Sequence, residues 1–197
     1  MNRIVSILFL IFGSLVFAEH PLVDVQTINS NILVELRYAT KNNFTGEVIY
    51  DFDKCYLQIE VAQALSKVER ELESMGLRLK IWDGYRPRRA QQKLWDIIQD
   101  ERYVSNPQNG GRHTRGTAVD LTIVYKNGQE IAMPTDFDDF SERAHRSYMD
   151  LPHEVLDNRS LLELVMLENG FVGAGTEWWH FDYDGWENFD EVEMEPN

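Results

Sequence analysis

Two short stretches hold most of the side chains able to do chemistry. One runs from Gly111 to Asp120 and reads Gly-Arg-His-Thr-Arg-Gly-Thr-Ala-Val-Asp; the other, from Glu177 to Phe181, reads Glu-Trp-Trp-His-Phe. They offer two imidazoles, His113 and His180, and one carboxylate, Asp120, with Glu177 beside them as a further carboxylate. Three nitrogen and oxygen donors, with a fourth position left for water, describe a catalytic zinc rather than a structural one. Sulfur-rich sites are excluded, because Cys55 is the single thiol. The chemistry expected of such a set is hydrolysis: zinc lowers the pKa of its water to ~7, and a nearby carboxylate moves the proton.

The elements that must position these groups follow from the flanking residues. Gly116 can make the turn that doubles His113 back over the strand-like run Ala118 to Val124, with Asp120 near its start. His180 falls in a second strand-like run, Trp178 to Tyr183. Glu177, three residues earlier, would face away on a regular strand, so it must sit in a turn or bulge to reach the same site. Leu77 to Ile81 alternates as a strand and leads into Trp82-Asp83-Gly84-Tyr85-Arg86-Pro87. Pro87 suits the first turn of a helix carrying Ala90, Leu94, Ile97 and Ile98, so Arg86 stands at a strand-to-helix corner. Taken alone, Arg86 reads as solvated or paired with Asp83.

Around this frame, Ile32 to Tyr38 reads as a strand entering the loop Ala39 to Gly46. Leu57, Val61, Ala64, Leu65, Val68, Leu72 and Met75 recur at helical spacing, with Gly76 placed to end the helix. Asn127-Gly128 predicts a hairpin returning through Glu130 to Met133, followed by an irregular acidic loop. Leu161 to Leu167 predicts another helix, stopped at Asn169-Gly170. Helices set between hairpin-like strands imply a single α+β domain with a central antiparallel sheet packed by helices. Trp178 and Trp179 read as core or cavity wall, His145 and His153 as structural or exposed, and Cys55 as a buried thiol.

The 197 residues suit one domain. Residues 1–18 read as a signal peptide: a basic start, an apolar run from Ile4 to Phe17, and small residues before a cut after Ala18. The remaining residues 19–197 are then expected to be exported, secreted or periplasmic, with no stable membrane anchor and no internal disulfide. A formal net charge of −14 opposes nucleic acid or an anionic membrane surface as partners. Trp186 to Asn197 is expected to form a solvated acidic tail.

Assembled, these segments resemble the D-alanyl-D-alanine dipeptidases, zinc enzymes of the vancomycin-resistance dipeptidase type. The resemblance runs from about Tyr38 to Tyr183. It rests on Tyr38-Ala39-Thr40, Asn43 to Gly46, Trp82 to Pro87, His113 to Gly116, Asp120-Leu121-Thr122, Phe137-Asp138, Glu142 to His145 and Glu177 to His180. It implies that His113, Asp120 and His180 hold one zinc ion, that Glu177 is the acid/base and that Arg86 stabilises the transition state. It further implies that Asp138 meets the substrate's ammonium, that Tyr38 lines the pocket, and that the fold is the one shared with D,D-carboxypeptidases and the hedgehog signalling domain. Two positions depart from the family pattern, Gly111 where serine is usual and Pro134 where glycine is usual; both bear on the substrate rather than the metal. The implied activity is hydrolysis of D-alanyl-D-alanine in the cell envelope. The competing expectations are a carboxypeptidase on peptidoglycan stem peptides and a non-catalytic zinc-binding module.

Overall fold

The alternation from Leu77 onward is realised as a seven-residue strand that forms part of a five-stranded sheet. The computed structural model describes residues 22–194; the proposed signal peptide lies outside them. In chain order the described elements are β1 (Leu22–Asp24), α1 (Val25–Ile28), β2 (Leu33–Val34), β3 (Tyr56–Gln58), α2 (Ile59–Ser74) and β4 (Leu77–Asp83). There follow α3 (Arg88–Ile97), β5 (Ala118–Tyr125), α4 (His153–Glu168), β6 (Phe171–Gly173) and β7 (His180–Tyr183). The main sheet has the order β2-β4-β5-β7-β6, antiparallel except where β2 lies parallel to β4. A small pair, β1 with β3, stands beside it. This is the expected α+β domain. Among the described residues no helix is long and apolar enough to cross a membrane.

Burial explains the arrangement. β5 is the central strand, and its residues from Ala118 to Val124 are all buried, so both faces are covered. Helix α2 lays Val61, Leu65, Val68 and Leu72 into the core beside β4, and α4 adds Leu162, Val165 and Met166. Glu69, on the buried face of α2, accepts the Leu79 amide at 2.7 Å and Arg78 Nε at 3.3 Å. A charge so placed is tolerable because it is bonded, and the bond fixes the helix against the strand.

Four expectations are corrected. The strand expected at Ile32 to Tyr38 pairs only through Leu33 and Val34. Beyond it the chain leaves the sheet as a 3-10 turn, Arg37–Ala39, with the Tyr38 carbonyl accepting the amides of Ile49 and Tyr50. The return of the Asn127-Gly128 hairpin shrinks to one bridge, Val124 with Glu130, since Glu130 is drawn to Lys80 and Pro134 has no amide to donate. Helix α4 begins at His153, eight residues before Leu161, where Pro152 precedes the first turn. Leu164 and Leu167 are exposed on it, so its apolar residues do not mark one clean face.

The acidic tail is docked rather than solvated as far as Met194. Val192 and Met194 are buried against Leu22 and Tyr85. The Tyr85 hydroxyl donates to the Val192 carbonyl at 2.8 Å and accepts the Met194 amide at 3.0 Å. Glu191 receives Arg88 at 2.5 Å and the Thr114 hydroxyl at 2.6 Å, and Arg115 donates to the Phe189 carbonyl. The tail therefore braces the turn that carries His113.

Candidate active site

Register does most of the positioning. β5 sets Asp120 opposite Asp83 of β4 on one side and opposite His180 of β7 on the other. Directly opposed residues project to the same face of a sheet. A bulge between Ile81 and Asp83 shifts the pairing and brings Asp83 into this row. His113 enters from the 3-10 turn His113–Arg115, which Gly116 ends at φ 69°. A Cβ there would lie 2.6 Å from the Leu22 side chain, so glycine is needed both for its conformation and for the approach.

His113, Asp120 and His180 each offer a ligand atom, and the three lie within 4.8 Å of one another. The other nitrogen of each ring is committed. His113 Nδ1 donates to the Gly84 carbonyl at 2.8 Å, and His180 Nε2 donates to Asp182 Oδ1 at 3.0 Å. Tautomers follow from those partners, leaving His113 Nε2 and His180 Nδ1 as acceptors directed at each other, 3.3 Å apart. Asp120 Oδ1 stands 2.9 Å from the second and 3.5 Å from the first. Three donor atoms thus converge from two imidazoles and a carboxylate, an arrangement that suits a shared cation. A proton answers part of that demand: burial opposes charging His180, but bonds to Asp120 and Asp182 carry its pKa up to about 10. Burial likewise opposes ionising Asp120, yet the two histidines hold its carboxyl well below the usual range. The donor types, the convergence and the outer partners on both rings fit a zinc ion.

Glu177 lies outside β7, as its spacing required. Residues 178 and 179 form a turn, and the Glu177 carbonyl accepts the His180 amide at 3.3 Å. Its side chain is buried and lines the same cavity as the three clustered groups. Burial pushes its carboxyl up to about 8, against the pull of His180. Arg86 is also buried, at the corner between β4 and α3. It donates to Asp83 Oδ2 through Nε at 3.0 Å and Nη2 at 2.6 Å, and to Gln91 through Nη1 at 3.0 Å. Its Nη2 stands 3.7 Å from Asp120 Oδ2. Of the two readings of Arg86 taken alone, pairing with Asp83 is the one seen; it is buried rather than solvated, and it lines the cavity.

Asp138 is the only non-glycine among the described residues with a positive φ, 60°. A strained backbone of this kind persists where surroundings over-determine it. Here they do: Tyr38 donates its hydroxyl to Oδ1 at 3.1 Å, and the Phe44 amide donates to Oδ2 at 3.1 Å. Burial raises the Asp138 carboxyl to about 7. Tyr38 is buried beneath Arg86, whose guanidinium carbon sits 5.1 Å from the ring centre.

The structure thus brings all seven residues singled out in the sequence around one cavity. It also adds partners that the sequence reading missed. Asp182 could have been found, since it follows His180 by two residues on one strand and so shares its face. The Gly84 carbonyl, Tyr50, which donates to Asp83 at 2.7 Å, and Gln91 gave no local signal. Arg146 was missed as well; it donates to the carbonyls of Ala174, Trp178 and His180, on either side of Glu177. Trp178 and Trp179 are core, Cys55 is buried, and His153 opens α4.

A convergent His-Asp-His set beside a buried glutamate and an aimed arginine is the arrangement of a metallopeptidase. Comparison with known proteins agrees: residues 18–192 match the family described as D-ala-D-ala dipeptidase, and the chain belongs to that family. The D-alanyl-D-alanine dipeptidase of Escherichia coli (strain K12) is 40% identical over 161 residues, covering 82% of this chain and 83% of that one. The D-alanyl-D-alanine dipeptidase of Enterococcus faecalis (strain ATCC 700802 / V583) is 29% identical over 168 residues, covering 75% and 83%. Among solved structures, the vancomycin resistance D,D-pentapeptidase VanY in complex with Zn(II) aligns with a TM-score of 0.46 at 18% identity, covering 68% of this chain and 75% of that chain.

Proposed function

We propose that the protein hydrolyses D-alanyl-D-alanine to D-alanine, using one zinc ion held by His113, Asp120 and His180. The observation that carries this is the convergence of three acceptor atoms, two of them on imidazoles whose outer nitrogens are already spoken for. When bound there, zinc lowers the pKa of a coordinated water to ~7 and polarises the peptide carbonyl.

The chain's own residues supply the remaining work. Glu177, raised by burial to about 8, is poised to take a proton from the attacking water and return it to the departing amine. Arg86 keeps its charge beside Asp83 and directs that charge toward the carbonyl oxygen, where negative charge builds in the transition state. Asp138 receives the substrate ammonium, with Tyr38 and the Phe44 amide holding its carboxylate in place. Phe140 and Tyr103 add aromatic walls to the cavity. Since Asp138 is half-buried on the cavity wall with its carboxylate held by Tyr38 and the Phe44 amide, an ammonium belongs at that end, which favours a free dipeptide over a stem peptide. The leader-like residues 1–18 support export as part of the same reading.

The test is incubation of metal-loaded protein with D-alanyl-D-alanine and with intact stem peptides, read by mass spectrometry with and without a chelator. The reading expects D-alanine from the dipeptide, lost with chelator. Release from stem peptides alone would replace it with the carboxypeptidase, and no turnover of either would favour a binding module.

A further inference from the structure

His180 is placed by its pairing opposite Asp120, but Glu177 lies in no strand. It sits in the excursion 174–179 between β6 and β7, whose ends meet where the Ala174 amide donates to the His180 carbonyl at 3.1 Å. Carbonyls of such a loop that face the interior must find donors, because a buried one left bare is costly. One residue supplies donors on both sides of Glu177. Arg146, just past the 3-10 turn Glu142–Ala144, donates Nε to the Ala174 carbonyl at 2.8 Å. Its Nη2 donates to the carbonyls of Trp178 and His180 at 2.9 and 3.1 Å, and its amide to the Gly175 carbonyl at 3.0 Å.

The guanidinium is itself confined. The Arg146 side chain is 10% exposed, and its Cζ lies 4.3 Å from the centre of the buried Phe181 ring. Gly173, paired with Phe181 across β6 and β7, leaves the room: a Cβ there would lie 2.3 Å from Arg146 Cζ and 2.4 Å from Nε and Nη2. Gly173 is not among the glycines with positive φ, so its backbone would accept alanine. What it makes space for is the arginine. Nη1 makes no hydrogen bond and stands 3.5 Å from a half-exposed Glu163, so the carbonyl bonds rather than that ion pair fix the group.

We propose that Arg146 is a positioning residue for the reaction: by tying Ala174 to Trp178 across the loop, it sets where the Glu177 carboxyl stands beside His113, Asp120 and His180, and Gly173 admits it there. This rests on the reading of Glu177 as the proton carrier. Arg146 does not line the cavity, whereas Ala174 and Glu177 do. It therefore acts through the loop and not on the substrate. A misplacement of ~1 Å can cost about 10²-fold in rate, so the loss of bonds this far from the chemistry is visible in turnover. His180 keeps its strand pairing without Arg146, so the metal site survives the change.

The experiment compares wild type, Gly173→Ala, Arg146→Ala and the double variant, each loaded with zinc, on D-alanyl-D-alanine. Each single change is expected to lower kcat by roughly 10–100-fold, with KM little altered and zinc content unchanged. The double variant should be no slower than Arg146→Ala, because the added methyl acts only through the guanidinium. Arg146→Lys, charged but without the fork, should be as slow as Arg146→Ala. Guanidinium ion should restore part of kcat to Arg146→Ala and none to the double variant, where the methyl takes its place. Hydrogen exchange at the Trp178 amide, which donates to the Ala144 carbonyl, should be faster in Gly173→Ala than in wild type. That measurement needs no turnover. It upholds the placement of the loop by Arg146 even if wild type leaves the dipeptide uncut, a result that strikes only the reading beneath it. Should Arg146→Ala fail to fold, Gly173→Ala still decides the matter. Additive losses in the double variant, unchanged exchange in Gly173→Ala, or wild-type kcat in that variant with only a lowered urea midpoint would overturn the proposal.

Discussion

His113 Nε2 and His180 Nδ1 face each other at 3.3 Å, and each ring has given its remaining nitrogen to a fixed acceptor. Two ring nitrogens so directed, with Asp120 beside them, suit a shared metal ion. Binding a metal there must displace the proton that His180 otherwise holds, so affinity should fall as pH falls. Stripping the protein with a chelator should lower its Tm, by several degrees if zinc is present at ~100 times its Kd, which corresponds to ~2.7 kcal/mol. Differential scanning calorimetry with and without zinc measures this; an unchanged Tm would separate the cluster from metal binding.

Glu177→Gln keeps the shape of the buried side chain and removes its capacity to carry a proton. Turnover should fall by roughly 10²–10⁴ with zinc content intact. Steady-state kinetics beside metal analysis checks both halves, and full activity in this variant would remove Glu177 from the proton path.

Arg86 and Asp83 form a buried pair, so Arg86→Ala has two effects. Loss of a donor to the developing oxyanion should cost about 3 kcal/mol of barrier. Leaving Asp83 charged and unpaired should also cost about 3–5 kcal/mol of stability. Adding Asp83→Asn should restore much of the stability in urea unfolding while the rate stays low. If the double variant recovered turnover too, Arg86 would be structural only.

Asp138 carries opposite consequences for stability and binding. Its carboxyl titrates at about 7 in the folded chain against an ordinary 3.8, because burial disfavours the charge. The folded state therefore holds that proton longer than the unfolded one, and the associated stability, present below 3.8, is lost as pH rises through 7. Asp138→Asn should be more stable than wild type at pH 8, with the difference vanishing near pH 4. Ammonium binding needs the ionised form, so KM for the free dipeptide should rise on the acid side of pH 7 in wild type. In the variant KM should be high throughout, while N-blocked substrates are much less affected.

The docked tail gives a further check. Removing residues 190–197 uncovers Tyr85, and Val192 and Met194 each lose about 1.5–3 kcal/mol of burial as an upper figure. It also frees Thr114, next to His113, from Glu191. Urea unfolding of the truncated chain should show clear destabilisation; an unaltered midpoint would mean the contacts contribute nothing.

What could be read from the sequence was what short spacing encodes. His113, Gly116 and Asp120 lie within one turn and strand, and Glu177 with His180 within another. The placement of Glu177 outside the strand followed from period-two alternation together with the demand that it share a site with His180, though the strand itself starts at His180 rather than Trp178. Arg86 was legible as a corner residue, and of its two readings, solvated or paired with Asp83, the structure shows the buried pair. The rest depends on contacts between distant residues. Val192 and Met194 are two apolar residues among acids, and nothing local shows that Tyr85 and Leu22 cover them. Strand β2 ends early because the Tyr38 carbonyl serves a loop eleven residues on. The apolar residues of α4 fall on both its buried and exposed sides, which hid its first two turns.

The most direct measurement titrates zinc into metal-free protein while following bound metal and D-alanine release from D-alanyl-D-alanine together. The account predicts that both saturate at one zinc per chain, and that His113→Ala, Asp120→Ala or His180→Ala loses both. Release that persists after the metal is stripped, or in any of those three variants, would contradict it.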